Sequence, residues 1–147
     1  KSIEIPNLVT SLGNNTFMYC YSLQNVTIGN SVTAIGISVF EKCTNLISVE
    51  IPNSVLTIAS SAFRECTNLK NISIGNSVNS IGTAAFFKCT SLEKISFANS
   101  APPVAGSDTY YDVNKNTCTL EVPYGASSAY KTAPYWKDFK NIVERDH

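Results

Sequence analysis

Four cysteines recur at a spacing of 23 residues, and sulfur is the most conspicuous reactive chemistry in this sequence. They are Cys20, Cys43, Cys66 and Cys89. Thiolates could bind zinc or form disulfides, but equivalent positions in stacked strands lie about 4.8 Å apart, which separates the outer pair by about 14 Å. A tetrahedral zinc site gathers its sulfurs around one point, and parallel side chains oppose the geometry of a disulfide. The spacing therefore predicts buried free thiols and no metal site.

The remaining groups that could do chemistry do not form a catalytic arrangement. Glu4 and Glu50 would share a strand face but lie two repeats apart, about 9.6 Å by strand spacing, and we interpret them as solvated carboxylates. The sole histidine, His147, is the last residue, where no rigid scaffold orients it as a base, so we expect a frayed end or an expression remnant. Cys118 lies 29 residues after Cys89, outside the register. We expect it inside the C-terminal segment, with pairing to another chain as the alternative.

These observations predict that the chain is not an enzyme and holds no cofactor, and the glycines follow the repeat rather than a nucleotide-binding pattern. A rival hypothesis places a polar catalytic pocket in the C-terminal segment. It would be built from Asp108, Asp112, Tyr110 and Tyr111.

The same 23-residue step governs the hydrophobic residues, and a period in this range indicates a solenoid. One phenylalanine lies three places before each of the four cysteines, and together they are predicted to form the structural core. These phenylalanines are Phe17, Phe40, Phe63 and Phe86. A single unit cannot bury enough apolar surface to fold alone, so the units must stack.

Each repeat is predicted to contain a strand, a turn, a second short extended piece and one helical turn. Alternation in Leu69–Ile74 places Ile72 and Ile74 inward and their neighbours in water. The turn position alternates between proline and glycine, so we expect a proline-compatible backbone in which glycine is permitted but not required. The segment Ala62–Cys66 has phenylalanine and cysteine at helical spacing, which predicts the helical turn.

Composition excludes several classes of function. The 147 residues are 44% apolar, which is enough for one ordered domain, and 11 basic residues balance 11 acidic ones. No overall field therefore attracts nucleic acid or an anionic membrane, and no apolar run is long enough to span a bilayer. Because Lys1 opens directly into a repeat, we expect no signal peptide in this segment and a chain that was cut or processed from something longer.

The segment 101–147 loses the period, gains aromatic residues and is predicted to be a C-terminal cap on the repeats of residues 1–100. We expect the fifth repeat to stop after Ser100, a last strand at Thr119–Val122 and a short helix at 127–131 that carries Tyr130 inward. Trp136, Phe139 and Ile142 are the expected plug. An aromatic pocket for a carbohydrate or a peptide is the alternative use of these rings.

The unit Leu-x-x-Ile-x-Ile-Gly/Pro-Asn-Ser-Val-x-x-Ile-Gly-x-x-Ala-Phe-x-x-Cys-Thr-Asn resembles the BspA-type leucine-rich repeat over residues 1–100. The departures are mild, such as Leu8 in place of serine and Ala59 in place of glycine. The final segment looks like the C-terminal cap of such proteins from Bacteroidetes. The resemblance implies a right-handed α/β solenoid of leucine-rich repeats with short strands, short helical turns and a cap. It also implies a bacterial protein that is extracellular or on the cell surface, and in some cases adhesive.

Two surfaces are candidates for recognition. The predicted strand face is polar, carries small side chains and has no aromatic or arginine anchor, which suits weak or multivalent contact. Its candidate binding residues are Gln24, Asn25, Thr27, Ile47, Ser48, Glu50, Lys70, Asn71, Ser73, Glu93, Lys94 and Ser96. The second candidate is the ridge of helical turns. It could expose Met18, Tyr19, Tyr21, Arg64 and Phe87.

The sequence therefore predicts a non-catalytic interaction or adhesion module of a secreted or surface protein, which binds a protein or a glycan and neither nucleic acid nor the membrane interior. A structural spacer with no ligand of its own is the alternative.

Overall fold

The computed structural model describes residues 1–146, and His147 lies outside the described residues. Almost all of the regular structure is strand. In chain order the elements are β1 (Ser2–Ile5), β2 (Ser11–Leu12), β3 (Asn25–Ile28), β4 (Ala34–Ile35), β5 (Ser48–Ile51), β6 (Thr57–Ile58), β7 (Asn71–Ile74), β8 (Ser80–Ile81), β9 (Lys94–Phe97), β10 (Val104–Ala105), β11 (Thr119–Val122), α1 (Ser127–Thr132), a 3₁₀ turn (Trp136–Asp138) and β12 (Asn141–Glu144).

Two parallel sheets run along the stack. The first has seven strands in the order β1-β3-β5-β7-β9-β11-β12, and the second has five in the order β10-β8-β6-β4-β2. Neighbouring repeat strands pair residues that are 23 apart, as Ser2 does with Asn25 and Ser48 does with Asn71. The predicted stack of strand, turn and second short strand is therefore confirmed, because residues at equivalent positions of successive repeats meet across the sheet.

The interior contains columns of identical side chains. The rings of Phe40 and Phe63 stack at 5.2 Å between centroids, and Phe63 stacks on Phe86 at 5.5 Å. The Cys66 thiol donates to the Phe40 carbonyl of the preceding coil at 3.1 Å. The same bond joins Cys43 to Phe17 at 3.2 Å and Cys89 to Phe63 at 3.1 Å.

The first coil departs from this pattern. The sequence places Phe17 and Cys20 in the core, but the structure leaves both half-buried, whereas Phe40, Phe63, Phe86, Cys43, Cys66 and Cys89 have no exposed surface. The reason is geometric, because no coil covers the outer side of the first coil within the described residues.

The predicted helical turn in each repeat is wrong, and so the α/β description overstates the helix content. Residues 60–65 form consecutive turns that contain left-handed residues at Ser61 (φ 60°) and Glu65 (φ 58°), and Cys66 follows without regular structure. A left-handed residue ends a right-handed helix. The Phe63 N–H then bonds to the Ala85 carbonyl of the next coil at 2.8 Å instead of a carbonyl in its own turn. Among residues 1–146, helix is confined to α1 and the 3₁₀ turn, both in the cap.

The turn glycines correct a second expectation. Neither Gly29 nor Gly75 has a positive φ, as predicted. However, a Cβ on Gly29 would lie 2.5 Å from the Pro6 carbonyl oxygen, and one on Gly75 would lie 2.7 Å from that of Pro52. Glycine is therefore required there by the close approach of neighbouring coils, not merely permitted.

The fifth coil continues past Ser100, contrary to the expected stop. Val104 pairs with Ser80 in the second sheet, and the ring of Tyr110 stacks on Phe86 at 5.7 Å. Both pairs are 24 residues apart rather than 23, so one added residue conceals the continuation in the sequence. The division into residues 1–100 and 101–147 stays a prediction.

The cap extends the first sheet and plugs its open end. The predicted strand at Thr119–Val122 is β11, and β12 adds one more strand beyond it. The predicted helix is α1, which buries Tyr130. Trp136 and Phe139 are buried, Ile142 is half-buried, and the Trp136 indole N–H donates to the Pro103 carbonyl at 2.9 Å.

Candidate interaction surface

The outward side of the first sheet, here called the strand face, is built from residues that alternate with buried ones. In β3 the order is exposed, buried, exposed, buried. Because the strands pair without a slip, the outward residues form two rows across the sheet. The first row is Ser2, Asn25, Ser48, Asn71, Lys94, Thr119 and Asn141, and the second is Glu4, Thr27, Glu50, Ser73, Ser96, Glu121 and Val143.

The candidate binding residues all lie on or beside the strand face. Gln24, Ile47, Lys70 and Glu93 precede their strands by one residue and continue the ladder, with the Lys70 N–H donating to the Ile47 carbonyl at 2.8 Å. Ser73, Lys94 and Ser96 are half-buried, and the other candidates are exposed. The structure brings these residues together, and their role in binding stays a prediction.

The basic groups at the cap end of the strand face are already paired. Lys94 Nζ lies 2.8 Å from Glu121, Arg145 lies 3.6 Å from the same carboxylate, and Lys70 lies 3.7 Å from Glu93. The hydrogen bond from Lys94, joined by one from Ser96, lowers the pKa of Glu121. Sequence reasoning missed Arg145, because it lies 48 residues after Phe97, whose carbonyl it also contacts at 2.6 Å.

Glu4 and Glu50 differ from the other acidic residues of this face. Both are exposed, and within residues 1–146 neither has an ion-pair partner. Glu50 lies where two shallow grooves of about 610 Å³ and about 480 Å³ adjoin, since both are lined by Thr27, Glu50 and Ser73. The strand face therefore offers uncompensated negative charge beside a surface concavity.

The second candidate surface, here called the turn ridge, follows the left-handed turns. Of its predicted residues, Tyr19 and Tyr21 are exposed, whereas Met18, Arg64 and Phe87 are half-buried. The guanidinium of Arg64 lies 4.9 Å from the Phe87 ring centroid. The same residue pairs with Glu41 at 3.6 Å, and Lys42 pairs with Glu65 at 3.5 Å. Charges 23 residues apart thus pair along the ridge, so much of its polar surface is already bound within the chain.

The cysteines have the properties of structural thiols. All five are free, and only Cys20 is more than slightly exposed. Burial raises the pKa of the Cys43 and Cys89 thiols to about 12 and that of Cys118 to about 11. A protonated thiol is a poor nucleophile. Residues 1–146 contain no group of three or more His, Cys, Asp or Glu side chains that could hold a metal ion.

The pocket proposed for a catalytic site in the cap is lined by Asp108, Tyr110 and Tyr111 but not by Asp112, and of these three lining residues Tyr110 is the buried one. Tyr110 is buried, its hydroxyl has no hydrogen-bond partner within residues 1–146, and burial raises its pKa. Its ring packs against Trp136 and Phe139 at 5.2 Å and 5.0 Å. Asp108, Asp112 and Tyr111 are exposed beside it. The buried rings therefore fill the end of the stack, while Tyr111, Tyr124 and Tyr135 remain at the surface.

Within the described part of the chain, no helix has the length and hydrophobicity needed to cross a bilayer.

Known proteins match both the repeat and the architecture. A family model described as "BspA type Leucine rich repeat region" matches residues 1–116 in six copies. No curated protein matches the chain. Among solved structures, a leucine-rich repeat protein of T. pallidum is 25% identical with a TM-score of 0.73, over 84% of this chain and 59% of that one.

Two further solved structures are similar. A leucine-rich cell surface protein from Faecalibacterium prausnitzii A2-165 is 27% identical with a TM-score of 0.58, over 83% of this chain and 38% of that one. A leucine-rich repeat protein from Bacteroides ovatus ATCC 8483 is 23% identical with a TM-score of 0.62, over 99% of this chain and 43% of that one. The chain thus spans between 38% and 59% of the length of these three proteins.

Proposed function

The chain belongs to the BspA-type leucine-rich repeat family, and from this premise we propose that it is a non-catalytic module that binds a protein or glycan ligand through its strand face. We further propose that the module acts outside the cell or on its surface. The similar structure from F. prausnitzii is that of a leucine-rich cell surface protein, which supports this location.

The observation that carries the proposal is the regularity of the strand face. Its two rows place small polar side chains in register across the sheet, and the side chains of Ser48 and Asn71 make no hydrogen bond within residues 1–146. Small polar groups that are exposed and unpaired can bond to a partner without first breaking an internal contact. The turn ridge offers fewer unpaired polar groups to a ligand, because its charged side chains pair with one another along the stack.

A retention assay tests the proposal. The immobilised chain is exposed to a panel of extracellular-matrix proteins and glycans, and retention is compared with that of Asn71→Arg, which places a long cation on the strand face. The matched control is Asn79→Arg, an exposed position of the same repeat that precedes the second sheet. We expect Asn71→Arg to lower retention by about tenfold or more and Asn79→Arg to leave it unchanged.

The outcomes separate the candidate functions. Equal losses from both variants would contradict binding by the strand face. Retention of no protein or glycan by the wild-type chain would favour a structural spacer, the function suited to a face without aromatic or arginine anchors.

A further inference from the structure

Two unpaired carboxylates in one row of the strand face indicate the chemistry of a partner. We propose that this face binds a cationic peptide segment in the polyproline II conformation, with lysine or arginine at every third residue. This inference rests on the proposed function, because it names the ligand class for the same surface.

The charges of the strand face are complementary to a cation only near its first three coils. Toward the cap, Lys70, Lys94 and Arg145 are bound by Glu93 and Glu121. Glu4 and Glu50 have no such partner within residues 1–146. Lys1 precedes Glu4 by three residues along the first strand, which is about 10 Å. The unpaired charge of the second row is therefore negative.

The spacing of the two carboxylates selects the conformation of the partner. Glu4 and Glu50 both align with Thr27 of the intervening strand, so they lie two strand spacings apart, about 9.6 Å. A polyproline II segment has three residues per turn and rises about 9.3 Å in that turn, which puts residues i and i+3 on one side at the required distance. An extended strand repeats its side chains every two residues, about 6.6 Å, and does not match.

A single metal ion does not fit the same pair. Calcium binds about six to eight oxygen ligands at about 2.3–2.6 Å. Glu4 and Glu50 are only two carboxylates, and their backbone positions lie about 9.6 Å apart, so the pair does not provide the ligand set of one calcium ion. Two separate cationic side chains match the arrangement.

The groove beside Glu50 provides room for one of those side chains. It has a volume of about 610 Å³, and its lining includes Pro52 and Ile74 as apolar residues. A lysine side chain combines an apolar stem with a charged head, and this groove offers it apolar surface beside the carboxylate of Glu50.

Fluorescence anisotropy with labelled peptides tests the inference. The probe is four Lys-Pro-Pro units, and the comparison peptides are a Glu-Pro-Pro analogue and an isomer of the same composition with its lysines in one block. At low salt we expect the regularly spaced lysine peptide to bind, the blocked isomer to bind about threefold more weakly or worse, and the acidic peptide not to bind.

Charge-neutral variants locate the contact. Glu50→Gln and Glu4→Gln should each weaken binding of the Lys-Pro-Pro peptide by about threefold, and the double variant by about tenfold. The matched control is Asp112→Asn, which removes the same charge at an exposed cap position, where asparagine tolerates the left-handed φ of 65°. This control should bind like the wild-type chain. Circular dichroism melts establish that each variant is folded.

Two results would overturn the inference: no binding of the Lys-Pro-Pro peptide, or equal binding by the wild-type chain and the double variant. If the retention assay still shows a loss in Asn71→Arg, either result rejects the cationic partner and leaves the proposed function intact. Failure of both experiments rejects both.

Discussion

The repeats and the cap build the same ladder in different ways. In the interior of the repeats each step joins like residues, such as Phe40 on Phe63. In the cap the ladder continues with unlike residues, as when Tyr110 takes the place of the next phenylalanine on Phe86. The comparison shows that the solenoid depends on the backbone register and the shape of each layer. Identity of the residues is one way to obtain that register, not a requirement.

The largest expected effect tests whether repeats and cap unfold as one unit. Phe63→Ala and Trp136→Ala each remove a fully buried ring and should each lower the free energy of unfolding by about 3–5 kcal/mol. Because the layers share their contacts, both variants should shift a single transition in urea, followed by circular dichroism and tryptophan or tyrosine fluorescence. Separate transitions for Trp136→Ala would show that the cap folds independently.

A smaller effect is expected from the close approach of the coils. Gly75→Ala places a Cβ 2.7 Å from the Pro52 backbone, so the coils must separate locally, and we expect a loss of about 1–3 kcal/mol in urea unfolding. Gly13→Ala is the matched control, since its Cβ meets only the Thr16 hydroxyl at 3.7 Å. Equal stability of the two variants would show that the coil spacing is not fixed at the turns.

The smallest effect concerns the junction between repeats and cap and depends on pH. The folded-state pKa of Glu121 is lowered, chiefly by the hydrogen bond from Lys94, so its contribution is present above the unfolded value of about 4.3 and is lost as the pH falls. Glu121→Gln should reduce stability by less than about 1 kcal/mol at pH 7 and flatten the loss on acidification.

Ser96→Ala is the control for this prediction. It removes one hydrogen bond to the same carboxylate while leaving its contacts with Lys94 and Arg145. A fall in stability between about pH 5 and pH 3 that is the same in Glu121→Gln and the wild-type chain would contradict the assignment.

The repeat strands were predictable because the alternation of apolar and polar residues that indicates a strand spans only a few positions. Alternation in Asn71–Ile74 fixes which side chains point inward, and the 23-residue step fixes the pairing. The continuation of the fifth coil was not predictable in this way, because one added residue shifts Val104 and Tyr110 out of the register.

The turns were mistaken for helix because their defining feature has no sequence signal. The left-handed positions are occupied by Tyr19, Lys42, Glu65 and Lys88 rather than glycine, so composition gives no indication of a positive φ. Their strain is offset by hydrogen bonds between coils, such as that from the Lys42 N–H to the Arg64 carbonyl at 2.8 Å. Such bonds become visible only when the layers are stacked.

The candidate site was predictable as a surface but not as a charge pattern. Period-two alternation placed Ser48, Glu50 and Asn71 on one face, and the structure leaves them exposed there. Glu50 has no ion-pair partner within residues 1–146, whereas Glu121 is bound by two cations. One of these is Arg145, which directly follows β12 and is distant from Glu121 in the sequence. A comparison of residues that lie 23 positions apart in the sequence could have indicated the ion pair of Lys42 with Glu65.

The burial of Cys43, Cys66 and Cys89 determines how these thiols respond to oxidising conditions. The thiols of Cys43, Cys66 and Cys89 are buried, and each S–H donates a hydrogen bond to a backbone carbonyl of the preceding coil. Disulfide exchange needs an accessible thiolate, and these sulfurs are neither accessible nor readily ionised. An oxidising environment therefore has little to act on at these three positions, and Cys20 in the first coil is the cysteine whose partial exposure leaves it open to oxidation.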